Sequence, residues 1–306
     1  MDHISHTHCP VCKQPSLEHH LTCEDHLVSH RKFEIVICSI CGLGVTQNVP
    51  TPEHIGAFYK SESYISHSDT KEGLINSLYH QVRSVMLRRK QRLVERYATV
   101  GSKSLLDIGC GTGYFLSHMK HQGWRVTGTE PDPDARIIAG NQLGQPILDS
   151  PEIFDLQPDS YSVITMWHVL EHVFELHDYL GQIHTLLSEN GVLVIAVPNY
   201  LSYDAATYRE YWAAYDVPRH LWHFTPESIH RLVQPLGFTS LHRQIMPFDP
   251  FYISMVSERY RQAQGSMVKG IIRGGVSLCR SMWNINRASS IIYVFRRNSS
   301  TPGPAT

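Results

Sequence analysis

Two groups of residues in this 306-residue chain are spaced for chemistry. One is the run Leu106-Asp107-Ile108-Gly109-Cys110-Gly111-Thr112-Gly113. Its glycines let backbone approach a ligand closely, and a helix opening just after them would aim free N–H groups at it. Glu130 follows about 20 residues later, where a carboxylate can accept hydrogen bonds from both hydroxyls of a ribose. In the dinucleotide fingerprint the third glycine falls one residue later than here, and Tyr114 fills that place, so a nicotinamide dinucleotide is disfavoured. Loop and acid together point to a nucleoside-type cofactor. The other group is Cys9-Pro10-Val11-Cys12 and Cys38-Ser39-Ile40-Cys41. Each Cys-x-x-Cys turn aims two thiolates at one point, and two such turns complete the tetrahedron of a structural zinc ion. Cys23 lies between them and is not expected to be a ligand. Seven histidines between His3 and His30 crowd the same segment, but four cysteines already close the site.

These residues need elements to hold them. Residues 1–48 read as a zinc ribbon, with Phe33–Ile37 a strand leading into the second cysteine turn. Pro50 and Pro52 break the chain, and 49–100 reads as a helical linker and lid region. Leu74, Leu78, Val82, Met86, Leu93 and Tyr97 recur at helical spacing, which predicts one helix over 73–98 with an arginine-rich outer face. From 101 to 298 strands and helices alternate. Strands are expected at 104–108, 125–129, 145–148, 161–166, 191–197, 238–246 and 290–296, and helices at 113–122, 132–143, 174–188 and 226–236. Such alternation builds an α/β domain, a mostly parallel Rossmann-like sheet with helices on both faces. The tail 299–306 is expected to be disordered.

The run Leu-Asp-Ile-Gly-Cys-Gly-Thr-Gly resembles the first motif of class I S-adenosylmethionine-dependent methyltransferases. The likeness continues through Glu130, Tyr161–His172, Leu186–Gly191 and the strand ending Val197-Pro198-Asn199, and so covers residues 100–297. It implies a seven-stranded sheet and S-adenosylmethionine as cofactor. Asp107, Gly109, Cys110, Gly111 and Gly113 would then shape the methionine end, Glu130 would take the ribose, and Asp149 the adenine side. Met166, Trp167 and His168 would lie under the cofactor. The fourth-strand motif of that family opens Phe-Asp; Tyr161-Ser162 stands here, one carboxylate fewer. The whole chain also resembles a bacterial subgroup with an N-terminal zinc ribbon and the later motif Tyr215-Asp-Val-Pro-Arg219-His220-Leu-Trp-His223-Phe-Thr-Pro.

Methyl transfer from a sulfonium is an in-line displacement that needs alignment, and a general base helps when the acceptor is a hydroxyl or an acidic carbon. His168, Glu171, His172, His220 and His223 are candidates for that base. His220, His168 and Arg219 are the expected catalytic residues, and His172 and His223 the more structural ones. The aromatic segment 199–225 follows the fifth strand, at the carboxyl ends of strands where ligands bind, and is expected to cover the acceptor. Some quinone-pathway O-methyltransferases hold a divalent ion with Glu-x-x-Glu-His. His168-x-x-Glu171-His172 stands here, with the first carboxylate replaced.

Composition narrows the function. Hydrophobic residues make up 42% and charged residues 18% of the chain, so collagen-like and disordered classes are excluded. The longest apolar run is Val192–Val197, too short to span a bilayer, and the first residues lack a signal-peptide core. A cytoplasmic enzyme acting on a small molecule is expected, of sugar, lipid-linked or quinone-like type. The rivals are an RNA methyltransferase using the ribbon to grip RNA and a non-catalytic cofactor-binding scaffold. The net charge of −1 speaks against nucleic acid, as does the small acidic excess of segment 9–41. Residues 259–306 nevertheless carry eight cations and no acid. Within them, 266–284 can form a basic amphipathic helix, packed on the domain or touching anionic membrane at its inner face.

Overall fold

The computed structural model describes residues 3–59, 74–98, 101, 103–262 and 265–298. Residues 60–73 of the expected helical linker and lid region and the expected tail at 299–306 lie outside them.

The ribbon comprises β1 (His3–Ile4), β2 (Leu17–Glu24), β3 (Lys32–Cys38), β4 (Gly44–Thr46) and β5 (Val49–Pro50). Two short helical turns follow, α1 (Pro52–Ile55) and a 3-10 turn at Gly56–Tyr59. The helix read at 73–98 is α2 (Leu74–Tyr97).

The main domain alternates as expected: β6 (Ser104–Ile108), α3 (Tyr114–His121), β7 (Arg125–Thr129), α4 (Pro133–Leu143), β8 (Tyr161–Trp167), α5 (Leu176–Leu186) and β9 (Leu187–Pro198). After these come α6 (Tyr203–Tyr208), β10 (Trp222–His223), α7 (Pro226–Val233), β11 (Phe238–Ile245), α8 (Asp249–Arg261), α9 (Met267–Trp283) and β12 (Ser290–Arg297). The helix ends are written into the sequence. Asp132 accepts the Ala135 N–H at the start of α4, Pro133 follows it, and Gly144 closes the helix in the left-handed region. Thr225 and Ser228 form a reciprocal cap on α7, again followed by proline.

The sheet runs β11-β12-β9-β8-β6-β7, with β12 antiparallel to both neighbours and the others parallel. This is the fold class expected, with one correction: six strands form, not seven. The segment read as a strand at 145–148 contributes a single bridge between Thr129 and Leu148. Pro146 has no N–H to give the ladder, and Asp149 already caps a 3-10 turn at Ser150–Asp155. From Gly191 to Pro198 every residue of β9 is buried, as a central strand covered on both faces requires.

The ribbon is not a bead on a string. Its sheet runs β10-β4-β3-β2, so the fourth strand comes from the aromatic segment after β9. One buried cluster joins Cys9, Cys38, Cys41 and Leu43 of the ribbon to Ile164 and Met166 of β8, Ile195 of β9 and Trp222. A second fills the opposite face of the large sheet beneath α2, α3 and α4. A third joins Phe33 and Ile35 of β3 to Tyr208, Trp212 and Tyr215.

Candidate active site

The glycine loop sits between β6 and α3, and its three glycines all have positive φ: +65° at Gly109, +55° at Gly111 and +82° at Gly113. Two of them are fixed by close approach. A Cβ on Gly109 would lie 2.5 Å from Val169, and one on Gly113 would lie 2.9 Å from Ala139 of α4. A Cβ on Gly111 would meet nothing within 4 Å, so open space faces the loop where a cofactor needs room. The Cys110 N–H donates to Thr129 O at 3.0 Å, tying the loop to the end of β7.

Glu130 closes this corner. Its Oε2 accepts the Gly111 N–H at 2.8 Å and its Oε1 the Asp132 N–H at 3.1 Å. Burial raises its pKa despite those donors. Asp149 stands beyond it at the surface, its Oδ1 2.9 Å from Arg136 Nη1. Asp107 is buried at the other end, accepting from Thr165 Oγ1 at 2.5 Å, and burial raises its carboxyl to about 7. Met166 is fully buried at the end of β8, and Trp167 beside it packs edge-on to Phe115. The expected cofactor residues thus gather at the carboxyl ends of β6, β7 and β8 around the loop.

Two residues of this region were not legible in the sequence. Lys90 of α2 holds its ammonium 4.1 Å from the Trp167 ring. Burial lowers its pKa to about 8, against the opposing pull of Asp107 and Asp249. Asp249, the first residue of α8, holds His168 Nε2 at 3.1 Å. Lys90 belonged to a run of cations that reads as a solvated face, and Asp249 lies 81 positions from its partner. Neither carries a local signal.

The histidines behave differently from one another. His168 is held at φ +59° between two carboxylates, with Nδ1 3.4 Å from Glu171 and Nε2 on Asp249. Burial alone would lower its pKa; the hydrogen bonds and charges of Asp249 and Glu171 outweigh that and raise it to about 10. At neutral pH it is an imidazolium and has no lone pair for a substrate proton. His172 is the opposite case, lowered to about 4 chiefly by burial. Its Nδ1 lies 2.9 Å from the Tyr59 hydroxyl and 3.0 Å from the Arg219 carbonyl. His220 Nδ1 faces only a carbonyl, that of Ala214 at 2.8 Å, and donates to it. The two rings meet edge to face at 4.6 Å. His223 is anchored away from them, with Nε2 2.9 Å from Thr46 Oγ1, as its structural reading expects.

Glu171 lies beside the rings, fully buried, ion-paired with His168 but with neither oxygen making a hydrogen bond of normal geometry. Burial opposes its charge, but His168, His220 and His172 outweigh that and keep its pKa below the usual range. One ligand atom each from Glu171, His172 and His220 converges within 4.8 Å.

Arg219 corrects an expectation. It is expected among the catalytic residues, but its guanidinium is buried and its donors are occupied by protein: Asp216 by Nε and Nη2, Asp25 at 2.9 Å by Nη2, and the Phe58 carbonyl at 2.8 Å by Nη1. It fastens the acceptor-side segment to the ribbon.

The four expected zinc residues come together. Cys9 Sγ and Cys41 Sγ are 3.4 Å apart, Cys12 Sγ and Cys38 Sγ 3.5 Å, and all four lie within 4.8 Å. A tetrahedral zinc with Zn–S of about 2.3 Å puts its sulfurs about 3.8 Å apart, so these two pairs need only spread by a few tenths of an ångström to seat it. The hydrogen bond shared with Cys41 lowers the pKa of Cys9, toward the thiolate form a metal takes. Cys23 lies apart, buried between β2 and the aromatic segment.

A glycine loop at the carboxyl ends of parallel strands, a strand-end acid beside it and an antiparallel last hairpin define the S-adenosylmethionine-binding class I methyltransferase fold. Residues 78–243, more than half the chain, match the methyltransferase domain family, and the chain belongs to it. Among curated relatives, the ubiquinone biosynthesis O-methyltransferase of Rhodopseudomonas palustris is 24% identical over 182 residues, covering 55% of this chain and 71% of that protein. The enzyme of the same description from Aeromonas salmonicida is 32% identical over 127 residues, covering 39% and 52%. Among solved structures, an S-adenosylmethionine-dependent methyltransferase from Archaeoglobus fulgidus superposes with a TM-score of 0.50 at 17% identity, covering 74% of this chain and all of that one. The ribbon lies outside the family match.

Proposed function

We propose that this methyltransferase acts on a small-molecule acceptor, at oxygen or at an acidic carbon, with a quinone-like phenol favoured over a sugar or lipid-linked compound. The observation that carries this reading is the arrangement of His220. It sits on the aromatic segment beside the end of β8, grouped with Glu171 and His172, with Nδ1 satisfied by a backbone carbonyl and Nε2 3.9 Å from Asp216. The similarity to ubiquinone biosynthesis O-methyltransferases weighs toward a hydroxyl on a quinone-like ring. Bound S-adenosylmethionine supplies an activated methyl group on a sulfonium. Glu130 takes the ribose hydroxyls, Gly109 and Gly111 give backbone access, and Asp149 stands on the adenine side. Lys90 and Asp107 offer opposite charges to the two ends of the amino-acid group. His220 draws the proton from the acceptor. His168, a cation between Asp249 and Glu171, orders the floor beneath it. The four cysteines hold a zinc ion that stiffens the ribbon.

The test is transfer of labelled methyl to catechol, hydroquinone, sugar and RNA acceptors. Label in a phenolic product supports the reading. Label confined to RNA, or no cofactor binding by calorimetry, overturns it in favour of one of the rivals. The His220→Ala variant is expected to lose about 100-fold in kcat while cofactor affinity stays within twofold, as loss of a general base would give. Unchanged turnover would remove His220 from that role. Glu130→Gln keeps the shape but loses the charge that faces the ribose and the loop. Charged hydrogen bonds contribute about 1.5–3 kcal/mol each, so the cofactor Kd should rise about 10–100-fold in titration calorimetry. An unchanged Kd would mean the ribose is held elsewhere.

A second reading has one observation in its favour. Glu171, His172 and His220 each bring one ligand atom within 4.8 Å of the others, and the Glu171 carboxylate makes no hydrogen bond of normal geometry, a donor set that a divalent cation fits. In that case the ion, and not His220, would activate the acceptor oxygen.

A further inference from the structure

Helix α9 is built inside out. Its buried positions are Gly270, Gly274, Ser277 and Ser281, the smallest residues it has. They lie on α8 at backbone contact: a Cβ on Gly270 would come 2.7 Å from Met255 Cα, and one on Gly274 2.6 Å from Phe251 Cα. The large apolar side chains therefore point outward. Val268 is 65% exposed, Ile272 61%, Met282 66% and Trp283 90%, with Met267, Ile271 and Val276 also exposed. At 100° per residue, positions 268, 271, 272, 276, 279, 282 and 283 share an arc of about 140°. Lys269 and Arg280 are exposed along one border of that arc, and Arg273 stands beside them, paired with Glu258. At the carboxyl end Arg280, Trp283, Asn284 and Arg287 line a shallow crevice. No acid occurs between Arg259 and the end of the chain.

A contiguous apolar face this large is rare on a protein that meets only water. A basic border beside it selects among occupants. A second copy of the same helix would bring cations against cations, whereas a surface of anionic lipid accepts both parts of the pattern: acyl chains for Ile272, Met282 and Trp283, phosphates for Lys269, Arg280 and Arg287. We propose that α9 is a membrane-surface docking helix, lying in the plane of an anionic bilayer with this face inserted. The position suits an apolar acceptor. Helix α9 rests on α8, whose first residue, Asp249, holds His168 in the active site.

The full chain should co-sediment with phosphatidylglycerol vesicles and much less with phosphatidylcholine vesicles. Paired reversal of Lys269→Glu and Arg280→Glu should lower the partition coefficient at least tenfold, since each basic residue near an anionic surface contributes about fivefold. Ile272→Ser with Trp283→Ser should do the same. Both pairs are exposed, so unchanged unfolding curves are expected. Quenching of tryptophan by brominated lipid should disappear in Trp283→Phe. Equal binding to both vesicle types, no binding to either, or a concentration-dependent dimer abolished by Ile272→Ser would each overturn the proposal.

Discussion

A Cys38→Ser variant is expected to lose its zinc and to unfold at least about 10 °C below the parent protein. Cys38 sits at the centre of the cluster. It faces Cys12 at 3.5 Å and also receives the Ser16 hydroxyl at 3.1 Å and the Cys41 N–H at 3.5 Å. Serine keeps the size but gives up the thiolate. Structural zinc contributes roughly 10–16 kcal/mol of apparent binding energy in small peptides, and much of that is folding energy. Even about 5 kcal/mol of it, at roughly 2–4 °C per kcal/mol, gives the expected shift. Cys9, Cys38 and Cys41 belong to the buried cluster that runs under β8 and β9, so the loss should reach the active site, and methyl transfer should fall with it. Scanning calorimetry with metal analysis makes the test. A parent protein without zinc, or a variant with an unchanged transition, would dismiss the zinc assignment. An additional ion that survives Cys38→Ser would instead favour the cation reading at Glu171, His172 and His220.

Arg219→Met should destabilise the protein by about 3–5 kcal/mol while leaving cofactor affinity unchanged. Removing one member of a buried ion pair strands the others, and both Asp25 and Asp216 lose their counter-charge. Methionine replaces the stem of the side chain, so the cost is electrostatic more than steric. The effect should depend on pH with a definite sign. Burial opposes the charge on Asp25, but the Ser29 donors and Arg219 hold its pKa below the usual range. A depressed carboxylate gives stability that is present above its unfolded-state value and fades as pH falls. The gap between parent and variant should therefore hold from pH 7 to near pH 4 and narrow below it in urea titrations. A variant of parental stability with reduced acceptor affinity would restore Arg219 to the acceptor pocket.

How much of this was written locally in the sequence differs from residue to residue. The cofactor loop and Glu130 were legible because their chemistry lies in one strand–turn–helix unit and the next strand. The cysteine quartet was legible because two tight turns suffice to define it. Arg219 was misread because adjacency to His220 says nothing of Asp25, which lies 194 positions away. Lys90 and Asp249 were missed for the same reason. The strand expected at 145–148 failed on Pro146, a signal visible in the sequence but overruled by the alternation pattern. Helix α9 showed its amphipathic period plainly, but periodicity cannot say which side faces in. The buried glycines and serines decided that.

The completion of the ribbon by β10 also bears on the order in which the chain is made. Thr46 and its partner His223 are 177 positions apart. At roughly 5–20 residues per second, the ribosome delivers that fourth strand about 10–35 s after the third. Through that interval the cysteine turns are already available to metal, while β4 waits with one edge unpaired. It has only three residues, a short target for the wrong neighbour. On the proposed zinc reading, metal capture thus comes early in the life of this chain, and closure of the 199–225 segment onto the ribbon comes late.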